Sequence, residues 1–130
     1  MYSKTTHEIR VTVEPYYIEE ESIPSQGHHF WAYHIRIENL SKKKVQLKTR
    51  SWAITDSKGL KQTVQGDGIV GQQPEIEPGK VYEYTSGVPL KTSSAIMEGN
   101  YSMENEEGIN FDIDIPAFSL DSPYHTKQIH

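Results

Sequence analysis

The chain of 130 residues contains no cysteine, so neither a disulfide nor a thiolate-bound metal can brace it, and a core of its own has to hold the fold. No apolar stretch approaches the roughly 20 residues that cross a bilayer, and the amino terminus, MYSKTTHEI, has no apolar segment behind its lysine. These absences set the expectation of a cytosolic protein with no membrane partner. A basic excess is missing as well. Acidic residues outnumber basic ones, 18 to 13, for a net charge of -5, which opposes attraction to polyphosphate backbones and predicts no nucleic-acid partner. The densest basic cluster, Lys42, Lys43 and Lys44, is short and follows Asn39-Leu40-Ser41, the pattern of a solvated hairpin loop. Finally, no window sustains an apolar period of 3.6, so amphipathic helices are not expected.

What is present is alternation. Ile9, Val11 and Val13 share one face of an extended segment opposite Arg10, Thr12 and Glu14, the period-two pattern of a half-buried strand. Pro15 is expected to weaken the end of that strand. Trp31, Tyr33, Ile35 and Ile37 alternate with Ala32, His34, Arg36 and Glu38, the strongest strand signal in the chain. A third run begins at Val45 and Leu47 and continues through Trp52 and Ile54. Its apolar residues switch from odd to even positions around residues 49–51, which predicts a bulge or a change of sheet there.

Residues 56–59 read as a turn, residues 60–65 as a short strand, and Glu77-Pro78-Gly79 as a turn before a strand over residues 81–85. Residues 96–103 and 109–115 form a last pair of strands around a loop closed by Gly108. About seven short strands with turns between them define an all-β fold, an antiparallel sandwich of the immunoglobulin or fibronectin type III kind. Tyr101 lies two residues before Met103 and suits the tyrosine corner of such sandwiches, with Met103 and Trp52 filling the core. The expected boundaries are a sandwich domain over residues 1–118 and a polar, loosely held tail over residues 119–130.

Gly66, Gly68 and Gly71 have the spacing of a phosphate-cradling loop. A dinucleotide site needs a strand, a glycine turn and the amino end of a helix in succession. Here Gly71 is followed by Gln72-Gln73-Pro74 and then by Pro78, which excludes the helix body. No lysine followed by serine or threonine closes a Walker pattern, and Asp67, Glu75 and Glu77 would repel a phosphate. Two readings remain: a structural loop crossing between the two sheets, or an anion-binding nest built from successive N–H groups.

Other constellations point to solvated faces. His28 and His29 are adjacent in an extended segment and face opposite ways, while His34 lies about 20 Å along the strand from His28, and His125 and His130 fall in the tail. No metal site is assigned to them. Asp112 and Asp114 share a face but alternate with Phe111, Ile113 and Ile115, as solvated strand residues do. The run Glu19, Glu20 and Glu21 lacks the spaced ligands of a cation loop. Ser86 has no strand-to-helix elbow. No catalytic residue and no cofactor are assigned, and the chain is not expected to be an enzyme. Arg50 stands where the face switches; it either pairs with a carboxylate or serves an interaction surface.

Taken in order, several stretches resemble the ApaG family: Val45-Gln-Leu47 with Arg50-Ser-Trp52-Ala-Ile-Thr-Asp56; Gly66-Asp-Gly-Ile-Val-Gly71 with Gln73-Pro74; Pro78-Gly79; Tyr84-Thr-Ser-Gly87 with Leu90 and Thr92; Met97-Glu-Gly99-Asn-Tyr101-Ser-Met103; and Phe111 through Ile115-Pro116-Ala-Phe118. Ser93 and Ala95 depart from the pattern, where proline and glycine are usual, which leaves the shape of that turn open. The resemblance implies a fibronectin-type sandwich and a small bacterial cytosolic protein with an unsettled role, loosely linked to cobalt and magnesium tolerance or efflux. It also implies relatives within larger eukaryotic proteins, where the domain resembles a protein-binding module.

The functional expectation is therefore a non-enzymatic protein-interaction module whose partner is not named by the sequence. Its edge strands are the contact surface, and homodimerisation through them is one form of contact. The alternative is a binder of a small phosphate or pyrophosphate compound, either alone or together with a divalent cation, through the loop of Gly66, Gly68 and Gly71.

Overall fold

In a computed structural model that describes residues 1–69 and 71–123, nine strands form two antiparallel sheets. They are β1 (Tyr2–Thr6), β2 (Ile9–Tyr17), β3 (His29–Asn39), β4 (Val45–Asp56), β5 (Lys61–Asp67), β6 (Glu75–Ile76), β7 (Val81–Leu90), β8 (Ser94–Asn105) and β9 (Asn110–Asp121). One sheet has the order β1-β2-β3-β7, the other β5-β4-β8-β9, with β6 also paired to β4. The chain changes sheet between β3 and β4, β6 and β7, and β7 and β8, as expected of an immunoglobulin-like sandwich.

The alternating residues do what their period requires. In β3 the side chains of Trp31, Tyr33, Ile35 and Ile37 are buried while those of the other face are not, and in β9 Ile113 and Ile115 are buried between exposed Asp112 and Asp114. Tyr33, Trp52 and Phe118 meet between the sheets, with ring centroids 5.4 Å apart for Tyr33–Trp52 and 6.0 Å for Trp52–Phe118, both edge-on. Such contacts add to the burial of large rings, which dominates a core of this size.

The face switch in β4 is a bulge. Its register with β8 slips between Leu47 and Thr49, so Val45 and Leu47 point into the core from odd positions and Trp52 and Ile54 from even ones. A second slip, between Met97 and Gly99 of β8, accommodates Pro116 of β9, which has no N–H to contribute to a ladder.

Several expectations are corrected. Strand β2 does not weaken at Pro15 but runs to Tyr17, with Pro15 opposite Tyr33. Strand β1 covers only Ile9–Val13, so at Pro15 β2 is itself an edge, where proline is tolerated. The Lys42–Lys44 segment is not a hairpin loop, because β3 and β4 lie in different sheets; Lys44 pairs with Glu75 at 2.8 Å and Lys43 with Glu107. The sandwich does not end at residue 118, since Ser119, Leu120 and Asp121 pair with Ile96, Ala95 and Ser94 and Leu120 is fully buried. The amino end of β8 needs that partner. Residues 124–130, with His125 and His130, lie outside the described residues.

Candidate functional site

The glycine segment leaves β5 and returns to the same edge of β4. Strand β5 pairs with Thr49–Thr55 of β4, and β6 pairs with Val45 and Gln46 farther along the same edge. The glycines therefore do not themselves carry the chain between sheets; that crossing follows β6, over residues 77–80. There Gly79 N–H donates to Asn39 O at 2.7 Å and Asn39 N–H donates to Lys80 O at 3.0 Å.

The loop is strapped to the β4 bulge. The carbonyl of Lys48 accepts from Gly68 N at 2.8 Å and from Gln73 Nε2 at 3.0 Å, while Gln46 Nε2 donates to Gln73 O at 3.0 Å. Within the loop, Ile69 N donates to Gln72 O at 2.7 Å and Gln72 N to Ile69 O at 3.0 Å, closing a tight turn that seats the buried Ile69 side chain in the core. Gly68 has φ +55°, and a Cβ there would stand 1.9 Å from Gln72 O, which only glycine avoids. Gly71 also has positive φ but faces open space.

Arg50 completes the assembly. It shares a face with Tyr101, its register partner in β8, and with Gly66, its partner in β5. The guanidinium lies over Gly66, where a Cβ would come within 3.0 Å of both terminal nitrogens. Its Nη1 donates to Gly68 O at 2.7 Å and to Asp67 O at 3.3 Å. Arg50 thus clips the loop through carbonyl oxygens, a use of its planar fork that the sequence reading did not foresee. The structure brings Arg50, Gly66 and Gly68 together and leaves Gly71 on the exposed turn. The amides of Gly68, Ile69 and Gln72 all donate within the chain, so they are not offered to an anion.

Beneath Arg50 lies a tyrosine cluster. Tyr84 of β7 and Tyr101 of β8 share a hydroxyl–hydroxyl hydrogen bond of 2.5 Å across the two sheets. The tyrosine corner expected at Tyr101 is accordingly absent as such, because its hydroxyl pairs with another phenol rather than with backbone. Burial pushes the pKa of both phenols well up, since it disfavours the phenolate. Tyr33 is also raised by burial, opposed by a hydrogen bond with Ser86 and by the charge of Arg50.

The histidines serve separate ends. His29 is buried, with Nδ1 at 3.3 Å from Tyr17 Oη, and burial, followed by the neighbouring His28, lowers its pKa. His34 binds Glu83 through Nε2 and Thr85 Oγ1 through Nδ1, both at 2.8 Å. Asp112 accepts from Ser102 at 2.7 Å and Asp114 pairs with Lys4 at 2.9 Å. Among the described residues no three His, Asp or Glu side chains converge, and no helix is long and apolar enough to cross a membrane.

A residue overlooked in the sequence is Asn39, fully buried at the end of β3. Its Nδ2 donates to Lys43 O and Ile76 O, and its Oδ1 accepts from the Ser41 amide and hydroxyl. The only signal was an asparagine continuing the buried face of β3.

Comparison with known proteins places this arrangement. The ApaG domain profile matches residues 19–105. Protein ApaG of Paramagnetospirillum magneticum is 53% identical over 130 residues, all of both chains, and that of Brucella suis is 48% identical over the same span. The putative ApaA protein from Bordetella pertussis superposes with a TM-score of 0.87 at 42% identity, covering 92% of this chain and 97% of that one. The C-terminal domain of wzt shares the fold with a TM-score of 0.62 at 11% identity, over 93% of this chain and 77% of its own. The chain belongs to the ApaG family.

Proposed function

We propose that this chain is a non-enzymatic, cytosolic protein-interaction module that engages its partner through the free edge of β5. The observation that carries this reading is the exposure of that strand. Every residue of β5 except Gly66 is exposed, on both faces, and β4 covers only one of its edges. A row of unpaired N–H and C=O groups is a template for a further strand, and natural proteins usually blunt such edges. No proline or bulge blunts this one. Strand addition supplies backbone hydrogen bonds for affinity and alternate side chains for selectivity.

The placement of His29 and His34 in structural hydrogen bonds supports a non-enzymatic reading. The link to cobalt and magnesium tolerance implied by family resemblance would then run through a partner protein. The phosphate-compound reading is the weaker, because the loop amides of Gly68, Ile69 and Gln72 are spent on the chain itself.

The test compares immobilised native chain with Val64→Lys, which puts a charge in the middle of the edge strand. Proteins retained from extract are identified, and binding is remeasured with each purified protein. A partner held by the native chain and lost by the variant is expected; identical retention by both overturns the reading.

A further inference from the structure

We propose that β5 pairs with β5 of a second copy of this chain, antiparallel and with Val64 on the two-fold axis, so that two protomers share one continuous sheet. This rests on the edge-strand reading of β5 and names its occupant.

The two sheets expose four outer strands, and three of them are poor templates for self-pairing. Strands β1 and β9 close against one another: Lys4 pairs with Asp114 at 2.9 Å, Asp114 N donates to Thr6 Oγ1 at 3.2 Å, and Tyr2 Oη meets Ser119 Oγ at 3.3 Å. Strand β9 also carries Asp112, Asp114 and Asp121 with Pro116, so a second copy would meet like charge. Strand β7 contains Pro89 and has Glu83 as its only charge.

Strand β5 reads Lys61-Gln62-Thr63-Val64-Gln65-Gly66-Asp67, and its charges are self-complementary. Folded back about Val64, Lys61 stands opposite Asp67 of the second copy, Thr63 opposite Gln65, Gln62 opposite Gly66, and Val64 opposite itself. Two-fold symmetry makes each unlike pair occur twice, giving two ion pairs in one short interface. The faces agree as well. Lys61, Thr63, Gln65 and Asp67 share the face of Thr55, Ala53, Ser51 and Thr49, while Val64 shares the face of Trp52. Opposed residues of an antiparallel pair point to the same side, so charge meets charge outside and valine meets valine within. A slip of two residues in either direction removes both ion pairs, which selects this register.

Among the described residues, neither the Lys61 nor the Asp67 side chain makes an ion pair or hydrogen bond within its own protomer. Val64 is 43% exposed in the single chain. An interface of one short strand pair is small, so the dimer is a weak one, with a Kd on the order of 10–100 µM.

The absence of cysteine makes the register directly testable. In Val64→Cys the new thiol faces its own copy within disulfide range, whereas in Thr63→Cys the two thiols are offset by two residues and out of range. Under mild oxidation the first is expected to form a covalent dimer and the second to remain largely unlinked. Sedimentation of the cysteine-free protein should show a concentration-dependent mass rising from 14.9 kDa towards twice that value. Lys61→Asp and Asp67→Lys should each raise the Kd at least about tenfold, because each turns two attractive pairs repulsive. The double exchange should recover the native value.

A native chain that stays monomeric at about 1 mM, equal cross-linking at positions 63 and 64, or failure of the double exchange to recover dimerisation overturns the proposal. If the chain is monomeric yet Val64→Lys loses a partner retained by the native chain, self-pairing fails while the interaction-module reading stands.

Discussion

Replacing Gly68 with alanine separates a structural loop from a binding loop. The new Cβ would stand 1.9 Å from Gln72 O, where ordinary contact begins near 3.4 Å, so the turn must open by about 1.5 Å, the difference between those two values. Three consequences follow from that opening. The positive φ imposes strain of about 1–2 kcal/mol on a residue with a side chain. The Ile69–Gln72 hydrogen bonds, 2.7 and 3.0 Å in the native turn, weaken at about 1 kcal/mol each. The Ile69 side chain, now 5% exposed, is partly withdrawn from the core, with up to about 2 kcal/mol at stake.

Even with incomplete loss of each contribution, a destabilisation of about 3–5 kcal/mol is expected, a large share of the stability of a small domain. Gly71→Ala is the internal control, since its Cβ would meet nothing within 4 Å and only the backbone strain of about 1–2 kcal/mol applies. Urea unfolding of both variants, followed by far-ultraviolet circular dichroism, measures the difference. Equal costs, or a Gly68→Ala cost under about 1 kcal/mol, would refute the claim that the loop is shaped to close on itself.

Three further predictions concern the core and its titrating groups. Tyr101→Phe should cost about 1–3 kcal/mol, because it strands the Tyr84 hydroxyl without its partner; adding Tyr84→Phe should restore part of that loss in a double-mutant cycle, and strict additivity would show that the 2.5 Å bond carries no coupling. Because burial raises the pKa of both phenols, the native state holds their protons more tightly than the unfolded chain. Stability is therefore unaffected below about pH 10 and falls by about 1.4 kcal/mol per unit and per tyrosine above it. Phenolate absorbance from these two residues should appear together with loss of circular dichroism, and ionisation in the folded protein would contradict their burial. His29 works in the opposite sense, since burial and His28 lower its pKa: its contribution is complete above about pH 6.5 and is lost as pH falls through the depressed value. In His29→Gln the decline of urea stability over that acidic range should flatten, and an unchanged slope would assign the effect elsewhere.

The strands with a buried and a solvated face were legible because alternation is a local record of burial. Trp31, Tyr33, Ile35 and Ile37 in β3 and the parity switch in β4 show this most clearly, and the switch corresponds to the slip between Leu47 and Thr49. Strand β1 left no such record. Its side chains are largely exposed, and it is held by pairing with β2 and by contacts with β9. The last residues of β9 were equally hidden, because their place depends on the start of β8.

Of the candidate site, the sequence by itself determined the residue types: three glycines, an arginine at the face switch and no helix to follow them. It excluded a dinucleotide cradle through Pro74 and Pro78, a local restriction on φ that no tertiary context removes. Only the tertiary structure decided that Arg50 lies over Gly66 and binds Gly68, that Tyr84 meets Tyr101, and that β5 keeps one edge free. Those contacts join residues distant in the chain, and their partners are set by sheet order and register, which a one-dimensional period does not carry.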